Sequence, residues 1–311
     1  MELNDKIFIA GHRGLAGSAL ERVLRAKGFT NLLLRARAEL DLEDQAAVDR
    51  FFAAEKPRYV LLAAALVGGI KYNMACPADF IRSNLAMTLN VLEASRKHGA
   101  DRLVFFGSSC MYPKVCPQPM KEDLLLTGEQ EPTSLPYSMA KLAGVTMCGA
   151  YNRQHGTRFL PVIPATLYGP GDNFNFEQSH VLPALLRRIH EAKTAGLPSV
   201  TIWGTGTPRR EFLYSDDLAE AVVFLLEKEN YTEVTNIGAG TDISIKELAE
   251  IICRVTGYRG KIEFDASKPD GALRKLLDTA KLDALGWKAR TPFEKGIQRT
   301  YDWYLKEGAG K

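Results

Sequence analysis

Tyr137 and Lys141 stand four positions apart in Tyr137-Ser-Met-Ala-Lys141. On a helix that spacing puts both on one face, where a phenol and an ammonium can address the same ligand. A phenol of pKa about 10 is a poor base but a suitable proton donor to a developing alkoxide, and a nearby cation eases its ionisation. The pair alone is a frequent coincidence. Here it follows Gly107-Ser108-Ser109-Cys110, which closes an apolar run and offers Ser108 as a third polar group. Hydroxyl, phenol and ammonium together suit carbonyl reduction. Cys110 reads either as an inert small hydrophobe or as a thiolate base, if a positive group lowers its pKa. His180, before an apolar helical pattern, reads as a helix cap, a satisfied polar contact or a proton donor.

A second cluster is Gly11-His12-Arg13-Gly14-Leu15-Ala16-Gly17, placed between the first apolar run and the first helical pattern. Glycines there allow a tight turn and close approach of a pyrophosphate, which the helix N-terminus attracts. The GxxGxxG spacing is that of the short-chain dehydrogenase/reductase superfamily. An NAD site usually carries an acidic residue about 20 positions on, for the ribose 2′-hydroxyl. This chain has Arg35 and Arg37 there, with Arg13 inside the loop. Guanidinium groups suit a 2′-phosphate, so the expected cofactor is NADP(H), with solvated surface arginines as the bland reading. Asp41 and Leu42 sit where the superfamily contacts adenine, and Pro164, Ala165, Thr166 and Leu167, with Lys141 and His180, complete the expected cofactor site.

The elements that must position these groups alternate. Lys6–Ala10, Asn31–Arg35, Tyr59–Ala64, Arg102–Gly107 and Arg158–Ile163 read as buried strands. Helical patterns near Leu15–Lys27, Asp44–Lys56, Ala78–His98 and Tyr137–Gln154 lie between them. The fold class is therefore α/β: a doubly wound parallel sheet of the Rossmann, extended short-chain dehydrogenase/reductase type, with a smaller C-terminal α/β substrate lobe. Residues 1–170 are expected to bind NADP(H), and 171–311 mainly to form the substrate lobe, with some chain returning to the first domain. In that second part a helix near Ser179–Lys193 precedes Val200–Trp203, a Gly-rich loop to Arg210, and Glu211–Tyr214. A helix that Asp216 or Asp217 could cap follows, then Thr235–Gly238. Ser244-Ile-Lys-Glu247 has capping-box spacing, and Lys261–Asp265 is a last strand candidate.

Over 311 residues, 46% hydrophobic and 25% charged residues exclude a disordered or fibrous chain, and a net charge of +3 is no nucleic-acid footprint. No apolar run approaches the ~18 residues of a membrane span. The polar residues Met1–Asp5 lead straight into the first strand, so no signal peptide is expected. Five cysteines without metal-ligand spacing argue against a disulfide scaffold or a metal site. The expectation is a soluble, cytoplasmic protein with no nucleic-acid or membrane partner.

The motifs GHRGLAGSA, AAALVGGI, FFGSSCMYPK, EPTSLPYSMAK, LYGPGDNF, SHVLPALLRR, WGTGTPRREFL and DASKPDG run over nearly the whole chain. Together they resemble the GDP-L-fucose synthases, the 3,5-epimerase/4-reductases of GDP-4-keto-6-deoxy-D-mannose. The resemblance implies that the C4 ketone of the sugar acidifies the hydrogens at C3 and C5. Cys110 is then the base and His180 the acid, Tyr137 and Ser108 stabilise the enolate oxygen, and NADPH reduces C4 while Tyr137 supplies the proton. It further implies Arg188, Trp203 and Arg210 as nucleotide-sugar contacts, with Asp270 and Lys275 less firmly. The superfamily commonly dimerises through helices matching Ala78–His98 and Tyr137–Gln154, so a homodimer is expected. The rivals are another nucleotide-sugar epimerase, reductase or dehydratase of the superfamily, and a non-enzymatic NADP(H) sensor. Ser109-Cys110-Met111 replaces the Asp-Glu pair common in dehydratases, and a sensor would be expected to lose Tyr137 or Lys141.

Overall fold

The computed structural model describes residues 1–176, 178–268 and 270–308. In chain order the strands are β1 (Ile7–Ala10), β2 (Leu32–Leu33), β3 (Tyr59–Leu62), β4 (Arg102–Phe106), β5 (Phe159–Pro164) and β6 (Thr166–Tyr168). They continue as β7 (Ser199–Trp203), β8 (Arg209–Tyr214), β9 (Thr235–Ile237), β10 (Asp242–Ser244), β11 (Lys261–Asp265) and β12 (Arg274–Lys275). The helices of the first half are α1 (Leu15–Ala26), α2 (Gln45–Glu55), α3 (Ile70–Ala75), α4 (Pro77–Lys97) and α5 (Leu135–His155). Those of the second half are α6 (Val181–Thr194), α7 (Ser215–Leu226), α8 (Ile245–Thr256), α9 (Ala280–Ala284) and α10 (Phe293–Trp303).

Residues in β1, β3, β4 and β5 are buried on both faces, as a parallel sheet covered by helices requires. These strands form a six-stranded parallel sheet in the order β2-β1-β3-β4-β5-β9. The order reverses between β1 and β3, and the crevice at such a reversal is where doubly wound sheets bind ligands. α1 buries Ala19, Leu20, Val23 and Leu24 at helical spacing against this sheet.

The chain leaves the sheet after β5. β6 and β10 flank β8 with β12, while β7 pairs in parallel with β11, and α6, α8 and α10 share a separate apolar core around Leu186, Ile189, Leu248, Ile252 and Ile297. Two elements return. β9 adds to the edge of the first sheet beside β5, and α7 lies against α1, where Arg22 pairs with Asp216 at 2.6 Å. Asn236 of β9 stitches the parts together: it accepts from the Tyr112 hydroxyl at 2.6 Å and donates to the Met120 and Asp278 carbonyls.

The capping box forms, with Ser244 Oγ accepting from Glu247 N and the Glu247 carboxylate accepting from Ser244 N. The expected Asp216 or Asp217 cap does not. β8 runs straight into α7 with Tyr214 at the N-cap, so both acids fall inside the first turn. There Asp216 serves Arg22 and Asp217 accepts from the Thr291 backbone and hydroxyl. α3, β6, β10, β12 and α9 are too short to leave a periodic pattern. Among the described residues no helix is long and apolar enough to cross a membrane.

Candidate active site

The glycine loop turns at Gly11, whose φ of 85° is costly for a residue with a side chain. A Cβ at Gly17 would lie 2.1 Å from the Gly11 carbonyl oxygen, so α1 can start this close to the loop only with glycine there. Gly14 is the N-cap, no side chain caps the helix, and its first turn holds no acid. The N–H groups of Leu15, Ala16 and Gly17 thus belong to the turn that lacks helical partners, and the dipole favours an anion before them. His12 Nδ1 is buried without a hydrogen-bond partner among the described residues. An uncapped, acid-free helix start beside a glycine turn fits the pyrophosphate of a dinucleotide.

The three arginines differ. Arg13 is exposed, Arg35 pairs with Glu55 at 3.1 Å and covers the Phe51 ring, and Arg37 pairs with Glu43 at 2.9 Å. Asn90 of α4 donates to the carbonyls of Leu42 and Glu43 and Asp41 accepts from Glu43 N, which shapes the loop after β2. At the carboxyl end of β5, Pro164 through Leu167 are anchored by Ala165 N donating to Ile237 O.

Ser108 leaves the carboxyl end of β4, where Gly107 N is tied to Val162 O of β5. Its Oγ accepts from Cys110 N at 3.2 Å and caps a single tight turn, Ser109–Met111. Ser138, in the first turns of α5, donates to the Cys110 carbonyl at 2.9 Å. α5 is thereby docked so that Tyr137 is buried at the end of β4, where Ser108 and Cys110 both act on its phenol. Lys141, one turn on, donates to the Phe106 carbonyl at 2.8 Å and lies 6.0 Å from the Tyr137 ring centre. The helical spacing and the strand end thus bring Ser108, Cys110, Tyr137 and Lys141 together.

Burial pushes the Tyr137 phenol above its ordinary range, the Cys110 thiol adds to the rise, and the Ser108 hydrogen bond opposes it. Burial lowers Lys141 to about 8. For the phenol as it stands, burial outweighs whatever easing of its ionisation the nearby Lys141 cation supplies. The ammonium is aimed at a carbonyl rather than at the hydroxyl, and desolvation wins. A phenol kept protonated is what a proton donor needs.

His180 is the N-cap of α6 but makes no side-chain cap bond, which removes the capping reading. Its surroundings are crowded although the ring keeps an exposed edge, and burial lowers its pKa. Such an imidazole, once protonated, gives the proton up readily. The segment before it is held against the loop after β3: Gly69 N donates to Gln178 O at 3.2 Å, and Asn84 of α4 grips Leu66 through both its backbone groups.

In the second lobe Arg188 donates to the Thr201 carbonyl at 3.1 Å, two residues before the exposed Trp203. Asp270 accepts from the Thr205 N–H and hydroxyl. Arg210 on β8 stands in register with Lys275 on β12, and burial lowers its pKa while the Asp270 charge opposes this. These five gather around one loop, Gly204 to Arg210. Sequence reasoning passed over Asp172: its Oδ1 accepts from Asn173 N, its Oδ2 is buried without a partner among the described residues, and burial raises its pKa to about 7. Its place in GPGDNF, just after β6 at the cleft, was the available signal.

Residues 7–238 match the NAD dependent epimerase/dehydratase family. GDP-L-fucose synthase 1 of Arabidopsis thaliana is 54% identical over 301 residues, covering 97% of this chain and 93% of that protein. GDP-L-fucose synthase of Escherichia coli K12 is 49% identical over 311 residues, covering 97% of each. A solved structure of a GDP-mannoheptose C4 reductase from Campylobacter jejuni with NADP bound superposes with a TM-score of 0.91 at 41% identity, over 98% of this chain and 99% of that one. The chain belongs to the NAD dependent epimerase/dehydratase family and, within it, to the GDP-L-fucose synthases.

Proposed function

We propose that this protein converts GDP-4-keto-6-deoxy-D-mannose into GDP-L-fucose by epimerisation at C3 and C5 and NADPH-dependent reduction at C4. The observation that carries the reading is that Ser138, the neighbour of Tyr137, binds the Cys110 carbonyl at 2.9 Å and so brings Cys110 and Tyr137 to the same end of β4. A plain reductase needs the phenol alone. A thiol at the same carbonyl supplies a base for the acidified C–H bonds next to it. Cys110 takes a proton from C3 and from C5, Ser108 and Tyr137 hydrogen-bond the enolate oxygen, and His180 delivers a different, solvent-exchangeable proton to each carbon from the other face. NADPH supplies the hydride that reduces C4. Tyr137 gives the alkoxide its proton, and Lys141, fixed by Phe106, keeps positive charge next to it.

The start of α1 with Arg13 and Arg37 receives the cofactor's phosphates, and Asp41 and Leu42 its adenine. Residues 171–311 mainly form the nucleotide-sugar lobe, where Arg188 and Arg210 address the diphosphate and Trp203 offers its indole face. The protein works in the cytoplasm as a homodimer formed through α4 and α5, which leave Leu89, Leu135 and Met139 exposed. The reading is supported by relatives named GDP-L-fucose synthase along nearly the full chain. Its test is incubation with NADPH and GDP-4-keto-6-deoxy-D-mannose, with the sugar product identified by NMR. GDP-L-fucose is expected, and a C4-reduced sugar with C3 and C5 unchanged would overturn the epimerase part.

A further inference from the structure

Two cations meet at one exposed ring. Trp203 ends β7 with 59% of its surface accessible. The Lys71 ammonium, on α3 in the first lobe, lies 5.6 Å from the centre of its indole. The Lys268 ammonium, from the loop after β11 in the second lobe, lies 5.8 Å from the same centre. Two like charges on a solvated ring repel each other, and a ring in water attracts each only weakly, so the indole by itself does not account for the pair. Among the described residues neither ammonium forms an ion pair. The two nearby acids hydrogen-bond neutral donors, Asp265 the Ser267 N–H and hydroxyl and Asp270 those of Thr205. They only partly offset the cations Lys71, Lys268, Arg188 and Arg210, Lys268 acting on Asp265 and Arg210 on Asp270. Arg188 is anchored two residues back on the same strand, and the Arg210 guanidinium lies against Gly271. Positive charge therefore accumulates from both lobes around one flat apolar surface.

A nucleoside diphosphate matches this arrangement in both respects, with a flat apolar face and neighbouring negative charges. The geometry points to Lys71 as a further substrate-binding residue, which reaches from the first lobe and, with Lys268, holds the diphosphate beside the Trp203 indole. This rests on the nucleotide-sugar reading above and extends it to a residue on the opposite wall of the cleft. Lysine suits the task because its ammonium is a compact charge on a flexible stem that can follow a ligand as the lobes approach. The contact to α3 would also couple the diphosphate to the loop after β3, whose Gly69 binds the segment carrying His180.

The test compares GDP and guanosine as inhibitors of the full-length enzyme, Lys71→Met and Lys71→Arg. Lys71→Met is expected to weaken GDP about five-fold, the size of one charge-assisted contact, and to leave guanosine and the KM for NADPH unchanged. Lys71→Arg should keep GDP affinity near the unmodified value. The fall of GDP affinity with added salt should be shallower in Lys71→Met. Equal GDP affinity in the unmodified enzyme and Lys71→Met overturns the proposal alone. Equal weakening of GDP and guanosine overturns it too, since Lys71 would then merely prop the indole. No GDP binding by the unmodified enzyme overturns the nucleotide-sugar reading and this proposal with it.

Discussion

In the mechanism proposed above Tyr137 releases its proton only when an alkoxide develops, and its surroundings favour keeping the proton in place until then. Burial and the adjacent thiol raise its pKa, so the phenol remains neutral across the range in which the enzyme would work. Tyr137→Phe should slow C4 reduction by at least ~10²-fold, the low end of general acid catalysis, while substrate affinity survives. Single-turnover oxidation of NADPH measures this, and a normal rate in the variant would show another donor. Cys110→Ser retains the Ser108 and Ser138 contacts, which involve the backbone of residue 110, and removes only the ionisable thiol. It should abolish deuterium incorporation at C3 and C5 in D₂O and leave a reduced sugar of unaltered configuration. His180→Gln should permit proton abstraction but not delivery to the other face. Mass spectrometry and NMR separate the two outcomes, and normal labelling by Cys110→Ser would reassign the base.

At the scale of elements, the segment between β6 and α6 spans from the start of α1 to the loop after β3. Gly171 lies beside Ser18, and Gln178 beside Gly69. It carries Asp172 with one carboxyl oxygen satisfied and the other orphaned. Burial raises that carboxyl to about 7, against 3.8 for an ordinary aspartate. Between those values the folded state holds a proton that the unfolded state has lost, so stability falls as pH rises through the window and the loss is complete above about 7. Asp172→Asn keeps the bond from Asn173 and does not titrate. Urea unfolding should show the variant gaining on the unmodified protein by about 1–3 kcal/mol between pH 4 and pH 7.5. A gap that does not change with pH would mean the carboxyl is not held unpaired.

At the scale of the whole molecule, cofactor preference and assembly each turn on a single exposed side chain. Arg37 is the more exposed of the two arginines after β2 and is free to exchange its partner Glu43, which also pairs with Arg82, for a phosphate, whereas Arg35 is packed on Phe51 and Glu55. Arg37→Asp should therefore narrow the preference for NADPH over NADH in kcat/KM by about tenfold, because it removes a charge-assisted contact and sets a like charge against the 2′-phosphate. Equal kcat/KM for both cofactors in the unmodified enzyme would dismiss the arginine argument. The exposed Leu89 on α4 tests the assembly. If the proposed dimer forms through α4 and α5, Leu89→Glu should weaken it about tenfold or more by burying an unpaired charge, as read by sedimentation, and an unmodified protein that sediments as a monomer would reject that proposal.

Features that depend on neighbours along the chain were readable from residue order. The glycine turn before α1, the one-turn spacing of Tyr137 and Lys141, the Ser244–Glu247 capping box and the apolar runs of β1, β3, β4 and β5 each obey a local rule of backbone geometry or period. Other features depend on which distant segments meet, and no local rule encodes that. The short strand candidate Thr235–Gly238 could pair anywhere until the register of Thr235, Asn236 and Ile237 with Val162, Ile163 and Pro164 placed it in the first sheet. The acids of α7 were legible as helix-start residues, but Arg22 and Thr291, remote in sequence, decided what they bind. Residue types nominated Cys110 and Tyr137, and only docking of α5 through Ser138 brought the two to the same strand end. The phenol's protonation and the meeting of Lys71 with Trp203 belong to the same class, because desolvation and charge proximity exist only once the two lobes have folded around the cleft.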